Sequence, residues 1–183
     1  MSKYRDVSFN PRRISQPKAN AEMRILAEKL GGEMQGRWWV AIPGAWPSIV
    51  GGSYRGYPVK VTGLFHMMPG DRAHSVSLIL SLPAETEHHL KLQNFVSVRF
   101  AFYVDLEQTD GMPTYSMDDE LAEKLLPPEI HAKLVHSGLD FVLTLSHDRL
   151  VLSVYGLYEH TLHLQLLDLL ADMADALVDT QAS

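Results

Sequence analysis

The sequence predicts an α+β fold, an antiparallel sheet of about five to six strands with three to four helices packed on one face. Two stretches predict the sheet. In His74 to Leu82, Val76, Leu78, Leu80 and Leu82 alternate with Ser75, Ser77 and Ser81. In Phe95 to Val104, Val96, Val98, Phe100, Phe102 and Val104 alternate with Ser97, Arg99, Ala101 and Tyr103. Such period-two patterns mark strands with one apolar face, whereas strands covered on both faces would be apolar throughout. The segment Thr161 to Val178 predicts the helical cover, because apolar residues occupy most of its circumference at helical spacing. A chain of 183 residues with 46% hydrophobic content suffices for one core, so residues 20–183 are read as a single domain.

The elements follow in order. Residues 1–19 contain Lys3, Arg5, Arg12, Arg13 and Lys18 with Pro11 and Pro17 and no sustained period, and read as a mobile basic arm. A first helix is expected from Asn20, with Met23, Leu26, Ala27 and Leu30 on one side and Gly31-Gly32 as its stop. Arg37 to Ile42 reads as a strand. Ile49–Ser53 and Tyr57–His66 read as a hairpin through the turn Tyr54-Arg55-Gly56, the Gly51–Gly56 run as a whole being read as hairpin-turn sequence. Ser116-Met117-Asp118-Asp119 has capping-box spacing before a further helix. Pro127-Pro128 should break that helix and open a second one, stopped by Gly138. Phe141, Leu143 and Leu145 then face Leu150, Leu152 and Val154 across a turn at Ser146–Arg149.

Charge is segregated along the chain. Residues 1–104 sum to +6 and residues 105–183 to −12, giving the net −6. On the last helix Asp168, Asp172, Asp175 and Asp179 form an acidic stripe, read as a solubility device or a docking surface. Its apolar line, Leu162, Leu166, Leu169, Leu170, Met173 and Leu177, is the candidate interface for a protein partner or a second copy of the chain. No stretch approaches the ~20 apolar residues of a membrane span, and the start of the chain has no apolar block of a secretion signal. A cytoplasmic protein is expected, and the acidic half argues against nucleic acid.

Catalytic signatures are missing. The Gly51–Gly56 run lacks the Lys-Ser/Thr of a phosphate loop and the spacing of a dinucleotide fingerprint. Ser, His and Asp occur without a nucleophile elbow, and there is no cysteine. Glu85, Glu87, His88, His89, His160 and His163 have no diagnostic metal spacing, so neither metal nor cofactor is expected. The sheet face away from the helices should gather Lys60, Thr62, Ser75, Ser77, Arg99, Tyr103, Thr144, Ser153 and Tyr155. Of these, Lys60, Arg99, Tyr103 and Tyr155 are the candidate ligand-binding set, two cations beside two phenols.

The order helix, strands, helix, two strands, helix in a small acidic chain resembles type III secretion chaperones, which implies a dimer holding an unfolded segment on apolar patches. The layout is also similar to uncharacterised bacterial domains with Gly-Gly after the first helix, a Trp-bearing strand and a Gly-x-Pro-Val hairpin, here Gly56-Tyr57-Pro58-Val59. The resulting expectation is a non-enzymatic binding or adaptor protein, chaperone-like, for a protein partner or itself. Behind it stand a small-ligand or anion-binding domain on the open sheet face, and an enzyme with an unrecognised site.

Overall fold

Four helices lie over one face of a six-stranded antiparallel sheet in the computed structural model, which describes residues 9, 11–35, 49–68, 71–95 and 113–181. The strands are β1 Met34–Gln35, β2 Ile49–Tyr54, β3 Tyr57–Met68, β4 Asp71–Asn94, β5 Thr114–Ser116 and β6 Phe141–Tyr155. The helices are α1 Gln16–Lys29, α2 Asp119–Leu125, α3 Pro128–Val135 and α4 His160–Gln181. The strands expected over Arg37–Ile42 and beyond Phe95 lie outside the described residues.

Helix α1 starts four residues before Asn20. Ser15 is its N-cap residue, and Pro17 fits the first turn, where a backbone N–H has no helical partner. Its end is a Schellman motif: the Gly31 N–H donates to the Glu28 carbonyl, the Gly32 N–H donates to the Ala27 carbonyl, and Gly31 takes φ 64°. The segment before it touches the body of the chain over its described part. The Ile14 N–H donates to the Leu157 carbonyl at 2.9 Å, and Arg13 bridges Tyr158 in antiparallel fashion.

The β2–β3 hairpin turns on two residues only, Arg55 at φ 50° and Gly56 at φ 89°. Two positive φ angles match the right-handed twist of the flanking strands. Gly51 and Gly52 therefore belong to β2, not to the turn. The lack of side chains at Gly32 and Gly52 lets the end of α1 touch β2, with the Ser53 N–H donating to the Leu30 carbonyl at 2.9 Å.

Strand β4 runs past Pro83, where the serine alternation had suggested an end, and continues to Asn94. Its first limb pairs β3 and its second pairs β5, while β6 pairs both, with register shifts between Ser81 and Leu90. Strand β6 doubles back on itself. Its ends meet where the Tyr155 N–H donates to the Asp140 carbonyl at 2.8 Å, although fifteen straight residues would span roughly 50 Å. The reversal falls at His147, φ 52°, so the turn expected at Ser146–Arg149 is present and β4 wraps around its tip. Across the sheet the order becomes β1, β2, β3, first limb of β4, second limb of β6, first limb of β6, second limb of β4, β5. Among the described residues strand β5 is thus a sheet edge.

Helix α2 is capped by Asp118, whose carboxylate accepts from the Leu121 N–H at 2.8 Å. Ser116 closes β5 instead of capping. Pro128 opens α3, and Gly138 at φ 77° follows its end. Helix α4 packs on β4 and β6 between α1 and α2. The core lies between α4 and the inward strand residues, among them Val76, Leu78, Leu80, Leu92, Leu143, Leu152 and Val154, all buried. Among the described residues no helix is long and apolar enough to cross a membrane.

Candidate functional site

The polar side chains expected to share the outer sheet face do share it where they are described. Residues directly opposite across antiparallel strands point the same way, and the register aligns Thr62 with Ser77 and Ser77 with Ser153. The Ser77 and Ser153 hydroxyls are 2.7 Å apart. The face is not uniformly open, however: Ser75 keeps 4% of its surface, and the Tyr155 ring lies 5.4 Å from that of Phe95. Burial also raises the Tyr155 phenol above its usual pKa.

Two members of the proposed ligand set are described, Lys60 and Tyr155. Arg99 and Tyr103 lie outside the described residues. Lys60 is exposed opposite Ile79, whereas Tyr155 lies opposite Ser75. Four residues of strand separate the two rows, roughly 13 Å. The apolar line of α4 has a definite place too. Leu162, Leu166, Leu169, Leu170, Met173 and Leu177 are all buried within the chain itself, so they carry its own core.

The acidic stripe is met by the β2–β3 hairpin. Tyr54 and Tyr57, paired at the hairpin end, donate to Asp168 and Asp175, each at 2.8 Å. Arg55 donates from one guanidinium nitrogen to Asp172 and from the other to Asp175, both at 2.7 Å. Burial and the carboxylate hydrogen bonds push both phenols up to about 12. At the other end of the same helix, Glu22 of α1 accepts from both the backbone N–H and the ring Nδ1 of His160. A carboxylate there complements the positive helix start, and these bonds hold Glu22 below the ordinary carboxylate range. Next to it His163 is wholly buried, and among the described residues neither ring nitrogen has a side-chain hydrogen-bond partner. Burial pushes its pKa down to about 4. Among the described residues no three His, Asp or Glu side chains form a group that could hold a metal ion. These contacts join distant parts of the chain.

Two concave sites lie at the β5 edge. The register pairs His89 with Ser116, Leu90 with Tyr115 and Lys91 with Thr114. Leu90 points into the core, so Tyr115 shares its side, and Thr114 and Ser116 face outward with His89 and Lys91. A cavity of about 200 Å³ opens on the helix side, lined by Leu90, Pro113, Tyr115, Ala122, Leu126 and neighbours from α3. One of about 350 Å³ opens on the outer side, lined by His89, Lys91, Thr114, Ser116, Thr144 and Ser146 with Leu90 and Tyr115 at its base. Tyr115 is 42% exposed, and its hydroxyl donates to Asp119 at 2.9 Å. Sequence reasoning missed these residues. The available signal was the alternation of His89, Lys91 and Gln93 with Leu90 and Leu92, which prolongs the strand beyond Pro83.

No family model and no curated protein matches the sequence. In fold the chain is similar to the crystal structure of the mycobacterial trehalose monomycolate transport factor A, TtfA. The TM-score is 0.54 at 10% identity, over 87% of this chain and 94% of that one.

Proposed function

We propose that the chain is a non-enzymatic binding module that captures an extended segment of a protein partner along the edge of β5. The observation that carries this reading is the placement of two cavities on opposite faces of the same three-residue edge, both walled by Leu90 and Tyr115. A strand added to an edge sends successive side chains to opposite faces, so it would fill both cavities while its backbone pairs with β5. Among the described residues β5 is paired on one side only.

Magnitudes indicate where the affinity comes from. Two or three backbone hydrogen bonds contribute about 1 kcal/mol each. One Leu- or Phe-sized side chain buried in the helix-side cavity adds about 1.5–3 kcal/mol. After the entropy of ordering the segment this is weak, reversible capture, as suits an adaptor or carrier. The edge does not require the buried face of α4, so partner binding and the chain's own core do not compete.

The test is selection of peptides on the purified full chain from a random eight-residue display library, followed by affinities against Tyr115→Ala and Ala122→Met. The reading expects enrichment of sequences with one central apolar residue and at least about tenfold weaker binding to either variant. Absence of enrichment, or binding indifferent to both substitutions, would overturn it. Light scattering on the chain alone separates a further outcome, β5 pairing with its own copy.

A further inference from the structure

We propose that the outer cavity of the β5 edge is a pocket for an acidic or phosphorylated side chain of the captured segment. The proposal rests on the edge-capture reading and specifies what that segment carries.

The chain has 22 acidic and 16 basic residues, yet among the described residues no carboxylate lines this cavity. Around an apolar base of Leu90, Tyr115 and Leu145, its rim residues are Lys91, His89, Thr114, Ser116, Thr144 and Ser146. The register sets Thr114, Lys91 and Thr144 in one row across three strands, with neighbouring Cβ atoms about 5 Å apart. The cation is thus flanked on both sides by hydroxyl donors, and Ser116 stands beside His89 in the next outward row. Among the described residues no carboxylate is ion-paired with Lys91. The nearby Asp148 is engaged by Arg149 at 2.9 Å. His89 is seated by an edge-on ring contact with His147, centroids 5.8 Å apart.

Position sets the recognition rule. An added strand lies about 5 Å from β5 and about 10 Å from the strand bearing Lys91. The lysine stem and a phosphoserine or glutamate side chain close that gap over Thr114 and Ser116. The residue opposite Tyr115 enters the helix-side cavity, and its two neighbours project to the outer face. The preferred segment therefore has a central apolar residue with Glu, Asp or phosphoserine immediately next to it. An ammonium with several hydroxyl donors favours a charged oxygen acceptor over a neutral one.

An oriented library of eight-residue peptides with a fixed central leucine, bound to the full chain at low ionic strength, tests this. The expected result is enrichment of acidic and phosphorylated residues adjacent to the leucine, and about tenfold tighter binding of a Leu-phosphoserine peptide than its Leu-Ser counterpart. Lys91→Gln should abolish that preference while leaving Leu-Ser binding intact, Lys91→Arg should keep it, and 0.5 M salt should shrink it. Leucine-centred peptides that bind with no acidic preference, or a preference unchanged in Lys91→Gln, would overturn the acidic-pocket proposal and leave edge capture standing. Failure of every leucine-centred peptide to bind would overturn edge capture and, with it, this pocket.

Discussion

Gly32 and Gly52 show how single atoms determine which elements touch. A methyl group at Gly32 would run into the Gly51 carbonyl, and one at Gly52 into the Leu30 carbonyl and side chain. Because the obstacles are mostly backbone, no side chain can swing aside. Gly52→Ala should cost about 3 kcal/mol or more, a fall in Tm of roughly 6–12 °C for a chain this size. Gly31 has open space around it, and Gly31→Asn, which tolerates positive φ, should cost much less; equal Tm shifts for the two would refute the close-approach argument. His163 makes a second residue-scale case. Its folded pKa of about 4 lies below the ordinary 6.5 because burial disfavours the charged ring. The unfolded chain therefore binds the proton first, and the stability present above pH 6.5 is lost as pH falls toward 4. His163→Leu should flatten that decline and, by removing buried ring nitrogens that lack a side-chain partner, raise Tm at pH 7. Urea midpoints between pH 7 and 4.5 would read both effects.

The β2–β3 hairpin and α4 are held together by a clasp at the scale of elements. Asp168, Asp172 and Asp175 repel one another along one helix face, and Arg55 with the Tyr54 and Tyr57 hydroxyls offsets part of that repulsion. Arg55→Ala should cost about 1–2 kcal/mol, discounted because the group is partly exposed. The loss should shrink in 1 M salt, which also screens the carboxylates from each other. The two phenols give the clasp an alkaline limit. Their folded pKa near 12 lies above the ordinary 10, so their contribution is complete below pH 10 and is lost as pH rises through 12. The double substitution Tyr54→Phe with Tyr57→Phe should remove that alkaline loss. A wild type whose denaturation midpoint stays flat from pH 9 to 11.5 would contradict it.

At the scale of the whole molecule, the charge segregation of the sequence becomes a pairing of its halves, since Arg55 of the basic half clasps carboxylates of the acidic half. What was legible is local: the alternation of Val76, Leu78 and Leu80, the Arg55-Gly56 turn, the Gly31-Gly32 stop and the Pro128 helix start all follow from neighbours in the chain. What was hidden depends on distant partners. A bend at Pro83 beyond which pairing resumes looks like a strand end, Gly52 looks like a turn until α1 rests on it, and Tyr115 looks like a lone aromatic until Leu90 and α2 form walls around it. The same blindness affects α4, whose apolar line reads equally well as an interface or as core. Magnitude decides between them. Burying Leu162, Leu166, Leu167, Leu169, Leu170, Met173 and Leu177 contributes about 1.5–3 kcal/mol for each side chain, together comparable to or larger than the 5–15 kcal/mol that typically separates folded from unfolded chains. A chain ending at Glu159 should therefore fail to fold rather than dissociate from a partner. Leu166→Asp should unfold the protein as a monomer, because it leaves a buried unpaired charge. Circular dichroism together with light scattering would test this. A folded truncation, or a Leu166→Asp variant that stays folded and only loses self-association, would move α4 from the core to an interface.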